Sequence, residues 1–388
     1  MKDKKRFLTR AIHVGNKPDH ETGAVIPPLY LTSTFKQESV GVNKGFDYSR
    51  AGNPTTKRYE ENIASLEDAN FAISFASGMA AITGLFQVLK KGDHVVIGRN
   101  TYGGTYRMTT QILESHGFEF EFIDTRDVTK IEAAIKSNTK WVFVETPTNP
   151  LLELCDIEAT SDLCKKHGIF LAVDNTFMSP YGQSPLKLGA DVVMHSATKY
   201  IGGHSDLISG VLITNNDSIA EKLYFIQKSG GAVPGPFDCW LLLRSTKTLG
   251  LRVQRQSDNA FEIATKLESH PLISSVLYPG LESHSQYKLA RKQQLNPDGE
   301  PIYGSIISII VSSVKKRDLF LQKINLFTLA ESLGGVESLI SVPYDMTHVS
   351  IPNEIKEAMG LPKTLIRLSV GIESVEDLYE DLIQALED

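Results

Sequence analysis

From about residue 70 onward, apolar and polar positions fall into a repeating order. A short run of β-branched and aromatic residues ends at a polar residue, and a segment of helical period follows. HVVIG (94–98) precedes TYRMTTQILESHG (105–117), FEFEFID (118–124) precedes VTKIEAAIKS (128–137), and WVFVET (141–146) precedes IEATSDLCKKHG (157–168). IFLAVD (169–174) and ADVVMH (190–195) come next, and GVLIT (210–214) leads into SIAEKLYFIQKSG (218–230). Strands this apolar, interleaved this regularly with helices, predict a largely parallel sheet covered on both faces, hence an α/β fold. After about residue 245 the rhythm changes. GLRVQRQSDNAFEIATKLESH (250–270) reads as a long amphipathic helix, and SIISIIVS (305–312) and TLIRLSVGI (364–372) read as strands of a second, smaller α/β unit. Residues 1–55, with IPPLYLTSTF (26–35) and several Gly and Pro, show no convincing helical pattern and read as an extended arm of the kind that packs on a neighbouring subunit. The expected organisation is therefore an arm (1–55), a large domain (56–245) and a small C-terminal domain (246–388).

Composition narrows the partners. The 388 residues are 41% hydrophobic and 22% charged, which suits a globular chain with an ample core, and the net charge of −6 comes without any basic block. A small-molecule partner is expected, rather than nucleic acid or an anionic membrane. The basic N-terminus lacks the apolar stretch of a signal peptide, and no run approaches the length of a membrane span. Cys155, Cys164 and Cys239 are odd in number and scattered, which argues against a disulfide framework or thiolate zinc site and for a reducing cytoplasm. No metal is expected: His195 and His204 match no zinc spacing, and there is no H-E-x-x-H.

In open parallel sheets, ligands bind beyond the C-terminal strand ends. There the chain places Asp174, Asn175 and Thr176 after IFLAV; His195, Ser196, Thr198 and Lys199 after ADVVM; Tyr102 and Arg107 after HVVIG; and Asn149 after WVFVE. AISFASGMAAITG (72–84) sets Ser77, Gly78 and Met79 at the start of an apolar helix, either as an anion site or as a plain helix cap. A lysine, a carboxylate and a phosphate cradle at neighbouring strand ends together suit pyridoxal phosphate. That cofactor needs an amine for its aldehyde, a carboxylate for its ring nitrogen and donors for its phosphate. Tyr102 is a candidate to stack on the ring. Asp174 as a simple cap and His195 as a packed strand-end residue are the ordinary alternatives. No G-x-x-x-x-G-K-[ST] loop occurs, and no clean G-x-G-x-x-G follows the first strand, so nucleotide chemistry has no support.

Assembled, these residues closely resemble the Cys/Met-metabolism family of pyridoxal-phosphate enzymes. The matching stretches are YSRAGNPT (48–55), ASGMAAI (76–82), YGGTYR (102–107), ETPTNP (145–150), VDNTF (173–177) and HSATKYIGGHSD (195–206). GPFDCWLLLRSTKTLGLR (235–252), FTLAESLGGVESL (327–339) and LIRLSVGIE (365–373) extend the match nearly end to end. The resemblance implies the aspartate aminotransferase-like fold type I, with a mostly parallel seven-stranded central sheet, and a homotetramer of two dimers that share active sites. It further implies that Lys199 forms the Schiff base and shuttles protons, that Asp174 pairs with the ring nitrogen, and that Tyr102 stacks on the ring. Gly78, Met79, Thr176, Ser196 and Thr198 would complete the cofactor site, with Tyr48 and Arg50 reaching the phosphate from the neighbouring subunit. Arg367, Asn149 and Ser332 would hold the substrate's α-carboxylate, with Arg107 and Glu331 also in the substrate site.

Within the family, Glu331 in AES matches enzymes that handle cystathionine, whose distal ammonium an acidic side chain receives. The family's methionine-cleaving members usually carry an apolar residue there, and a cysteine where this chain has Gly104. Leu333 stands where the enteric-type β-lyase pattern has tryptophan. One departure is SVPYDMTHVS (341–350), with Tyr344 and Asp345 at positions that are usually small or apolar. The resemblance thus implies a lyase that cuts cystathionine on the γ side. Within the family, synthesis of cystathionine from an O-acylhomoserine and β-side cleavage are the alternatives. A non-catalytic metabolite-binding protein on the same fold is the alternative from outside it.

Overall fold

A computed structural model describes residues 5–349 and 351–387. The apolar runs become strands β1 (Phe71–Phe75), β2 (His94–Gly98), β3 (Glu119–Ile123), β4 (Thr139–Glu145), β5 (Phe170–Asp174), β6 (Val192–Ser196) and β7 (Gly210–Thr214), in the order β1-β7-β6-β5-β4-β2-β3. The pairings among β2 to β6 are parallel, and only β7 runs against its neighbours β6 and β1. β2 and β7 are buried along their whole length, as a doubly covered sheet requires. Apolar clusters lie on both faces of the sheet, around Ile73, Phe86, Phe143 and Leu212 on one side and Val142, Val144, Leu171 and Val173 on the other.

Helix starts follow local capping chemistry. α2 (Pro54–Leu66) begins with Asn53, whose side chain accepts from the Thr55 N–H, and with Pro54 at the first position. α3 (Gly78–Phe86) begins with Ser77, whose hydroxyl accepts from the Ala80 N–H at 3.0 Å. Ser77 is therefore a helix cap, which does not prevent the N–H groups beside it from meeting an anion.

Two sequence expectations need correction. The first 55 residues do contain a helix, α1 (Phe7–His13), with Phe7 and Ala11 buried in the core, the Phe7 ring edge-on to Tyr181 at 5.5 Å, and Arg10 paired with Asp68 at 2.7 Å. It escaped notice because it is seven residues long, has no side-chain cap and draws its stability from tertiary contacts. The segment 105–117 is also not one helix: α4 (Gly103–Met108) passes into a π turn at Thr109–Leu113 and a 3₁₀ turn at Glu114–His116.

The C-terminal region holds a second sheet of β8 (Ile273–Leu277), β9 (Ile306–Val311), β10 (Thr328–Leu329), β11 (Leu339–Ser341) and β12 (Leu365–Ser369), ordered β10-β11-β12-β9-β8. The helix Leu249–Glu268 packs its apolar stripe, including Ala260, Ile263 and Leu267, against this sheet. Among the described residues no helix is long and apolar enough to cross a membrane, and no cluster of three or more His, Cys, Asp or Glu is arranged to hold a metal. All three cysteines are free and buried.

Candidate active site

A cavity of about 290 Å³ opens at the C-terminal ends of β4, β5 and β6 and is closed from the other side by residues of the second sheet. It brings together twelve of the site residues predicted from sequence: Gly78, Met79, Tyr102, Asn149, Asp174, Thr176, Ser196, Thr198, Lys199, Glu331, Ser332 and Arg367, with Ser77 beside them. Tyr48, Arg50 and Arg107 do not line it. Tyr48 is 46% exposed, and Arg50 stacks over the Tyr48 ring and donates to the Lys228 carbonyl at 2.6 Å, away from this chain's own cavity. Arg107 is exposed on α4, next to Gly103.

Lys199 sits in the turn after β6. Its amine donates to the Ser332 hydroxyl at 2.7 Å. Burial and the nearby Arg367 charge lower its pKa to about 8, against an opposing pull from Glu331. A lysine so placed carries a substantial neutral fraction near neutrality, as a nucleophile or base requires. The turn that presents it needs Gly203, which has φ +69°, and a Cβ there would strike the Arg252 guanidinium. Arg252, buried on the helix Leu249–Glu268, donates to the Tyr200 carbonyl at 2.7 Å and to the Ser245 carbonyl at 3.0 Å, tying the lysine turn to that helix. Sequence reasoning assigned Arg252 no role.

Asp174 ends β5 and is buried. Thr176 donates to it through both its N–H (3.0 Å) and its hydroxyl (2.5 Å), and the same hydroxyl accepts from the Ser196 N–H at 2.9 Å. Burial raises the Asp174 pKa, while the Thr176 bonds and His195 pull against it. His195 points to the opposite face of β6 and meets Glu67 at 2.6 Å, so it is a packed strand-end residue. Beside Asp174 lies a second buried carboxyl, Glu145, directly opposite it in the β4–β5 register. Glu145 accepts from the backbone N–H groups of Tyr102 (2.9 Å) and Asn149 (3.0 Å), and burial and Asp174 raise its pKa. It thereby holds two site residues at once. The sequence showed it only as the first letter of ETPTNP.

Tyr102 precedes α4, and Gly104 gives its ring room: a Cβ at 104 would lie 2.5 Å from the Tyr102 ring and 2.6 Å from the Met79 sulfur. The substrate-facing wall depends on Ser332, whose φ of +88° is strained for a serine. That backbone turns the Ser332 carbonyl onto Arg367 at 2.7 Å while the hydroxyl meets Lys199. Arg367 is buried on β12, donates to the Asn149 side chain at 3.0 Å, and leaves its buried Nε without a partner. Burial pushes its pKa down to about 10. His348, also unassigned from sequence, is buried near Arg367, and burial and that charge push its pKa down to about 4, so it is neutral.

These groups fit pyridoxal phosphate. Two buried carboxyls stand at adjacent strand ends, with no ion pair to Asp174 among the described residues, which suits a cationic ring nitrogen. At the start of α3, a Cβ on Gly78 would come within 3.0 Å of Ser196, so backbone N–H groups and hydroxyls converge where a phosphate fits.

Comparison with known proteins agrees. The family described as Cys/Met metabolism PLP-dependent enzyme matches residues 8–387. The chain is 48% identical over 379 residues to a cystathionine gamma-lyase of Bacillus subtilis, covering 98% of each chain. It is 45% identical, again over 98% of each, to a cystathionine beta-lyase of Lactococcus lactis. The solved structure of cystathionine gamma-lyase from Lactobacillus plantarum complexed with L-serine superposes with a TM-score of 0.95 at 42% identity, covering 98% of both chains. The fold is therefore type I, and pyridoxal phosphate is the cofactor. The chain belongs to the Cys/Met-metabolism family of pyridoxal-phosphate-dependent enzymes.

Proposed function

We propose that this enzyme is a carbon–sulfur lyase that cleaves L-cystathionine at its γ carbon, with water, to cysteine, 2-oxobutanoate and ammonia. The observation that carries this reading is a pair of opposite charges in one cavity with Lys199 between their influences: the buried guanidinium of Arg367 and the exposed carboxylate of Glu331. A guanidinium fork suits an α-carboxylate, and a carboxylate at the mouth suits the distal ammonium of a long substrate.

When bound, pyridoxal phosphate supplies an electron sink for charge developing at Cα. Lys199 would hold its aldehyde, and its amine, once freed, is placed to take the Cα proton, hand that proton on, and then take the Cβ proton, the electron pair left at Cβ expelling the cysteine thiolate from Cγ. Ser332 keeps the lysine amine within reach through its 2.7 Å hydrogen bond. Asp174, buttressed by Thr176, would pair with its ring nitrogen, Tyr102 would stack on its ring, and Gly78, Met79, Ser196 and Thr198 would hold its phosphate. Arg367, fixed by Asn149 and the Ser332 carbonyl, orients the substrate carboxylate. Arg107 lies outside the cavity lining, near Gly103: a Cβ there would be 3.8 Å from its guanidinium and 2.9 Å from the Thr347 carbonyl.

Tyr48 and Arg50 serve a neighbouring subunit's phosphate in a homotetramer of shared sites. Their distance from this chain's own cavity supports this, as do the exposed apolar residues Val25, Leu31 and Val40 on the same arm. Mixing Arg50→Ala with Lys199→Ala subunits should restore about a quarter of wild-type activity if sites are shared. No recovery would contradict sharing. The arm, large and small domains as divided above go with this reading, and three buried free thiols favour the cytoplasm.

The test is product analysis with cystathionine alone. Cysteine with 2-oxobutanoate supports the proposal. Homocysteine with pyruvate supports β-side cleavage, the reading favoured by the 45% identity to a cystathionine beta-lyase. Turnover only when O-acylhomoserine and cysteine are supplied would make the enzyme a synthase.

A further inference from the structure

Between β11 and β12 the chain leaves the second sheet in a loop that delivers Thr347 to the cavity wall. This loop meets the opposite wall directly: a Cβ on Gly103, next to Tyr102, would lie 2.9 Å from the Thr347 carbonyl. Thr347 shares the mouth with Tyr102, Ile208 and Glu331, the exposed members of the lining, whereas Arg367 lies buried behind them. A long amino acid held by its carboxylate at Arg367 would therefore bring its far end to this mouth, which Thr347 lines beside Glu331.

Two contacts fix that loop, one at each of the two residues that depart from the family pattern, Tyr344 and Asp345. Tyr344 is buried with Leu151, Leu361 and Leu365, and its hydroxyl donates to the Asn353 side chain at 3.2 Å. Lys356 is only 3% exposed; its ammonium lies 4.3 Å from the Tyr344 ring centroid and donates to the Tyr344 carbonyl at 3.0 Å. A buried ammonium held by a carbonyl and a π face is a directional contact, and it locks the loop's outgoing helix Asn353–Ala358 to its first turn. Next to it, Asp345 accepts from Arg317 at 2.8 Å, and Arg317 also donates to the Lys363 carbonyl at 2.6 Å, tying the start of the loop to its end. Neither contact touches the cavity. Both act on the short stretch that ends at Thr347.

We propose that Tyr344 and Lys356, with the Asp345–Arg317 pair, are positioning residues that set how far Thr347 reaches into the cavity mouth, and so select substrates by the length of their side chain. The inference rests on the cystathionine reading above. Its test compares a long and a short amino acid on the cofactor-loaded enzyme: KM and kcat for L-cystathionine, and the dissociation constant of L-serine read from the cofactor's visible absorbance. Lys356→Met should raise the cystathionine KM about tenfold, with kcat and the serine constant changed less than about threefold. Lys356→Arg, which keeps the cation, should return KM to within about twofold of wild type. Asp345→Asn, at an exposed position that does not threaten folding, should shift KM in the same direction by about threefold. An unchanged cystathionine KM in both Lys356→Met and Asp345→Asn overturns the inference alone, as does equal weakening of serine and cystathionine. A wild-type enzyme that binds serine but leaves cystathionine intact overturns the substrate reading, and this inference with it.

Discussion

The two walls of the cavity are built by different means. Asp174, Ser196 and Lys199 stand at or just beyond the ends of β5 and β6, where the parallel register that sets Asp174 opposite Met194 also makes the sheet. Glu331, Ser332 and Thr347 stand on loops of the second sheet, and only Arg367 on that wall belongs to a strand. The first wall is placed by main-chain hydrogen bonds that the whole fold needs. The second is placed by a few side chains: Lys199 on Ser332, Arg367 on the Ser332 carbonyl, Lys356 on Tyr344. The cofactor side is thus tied to the sheet, while the part of the substrate side around Thr347 is held by side-chain contacts outside the cavity. Relatives named for γ- and for β-cleavage stand at 48% and 45% identity to this chain.

The contrast breaks most visibly at Lys199. Lys199→Ala should remove turnover and the Schiff-base band of the cofactor together, leaving at most the free aldehyde's absorbance, with a loss of at least about 10⁴-fold in rate. Retention of either would separate functions that the strand-end wall is held to join. On the other wall, Arg367→Lys should keep the absorbance but raise KM about a hundredfold, because an ammonium cannot replace the two-pronged contact to a carboxylate. Loss of absorbance in that variant would erase the distinction between the walls.

A smaller effect concerns pH. Because burial and Arg367 lower the Lys199 pKa to about 8, the neutral amine grows with pH below that value and levels above it. The rate at which apoenzyme takes up pyridoxal phosphate should rise about tenfold per unit well below pH 8 and flatten beyond it. Continued growth through pH 10 would show an unperturbed lysine.

The same contrast explains what could be read from sequence. β2 to β7 were legible because each is an apolar run ending at a polar residue, and the strand-end rule then picked out Asp174, Ser196, Thr198 and Lys199. Helix α1 was not legible, since its seven residues owe their shape to Tyr181, Asp68 and the core. Arg252 and His348 were missed because each acts through partners far along the chain: the Tyr200 carbonyl for one, Arg367 for the other. Glu145 lay inside a quoted motif, yet its role depends on backbone N–H groups at 102 and 149, which no spacing rule reveals. Tyr344 and Asp345 were visible only as departures, and their partners Lys356 and Arg317 emerge from packing alone.

The most direct test of the two-wall account is a titration of cofactor-loaded Glu331→Ala with L-cystathionine, reading the visible spectrum and product release in the same sample. The account predicts a wild-type spectrum before substrate and a KM raised about tenfold, since one charge at the mouth is lost while the strand-end wall is untouched. An altered cofactor spectrum, or a KM equal to that of the wild type, would contradict it.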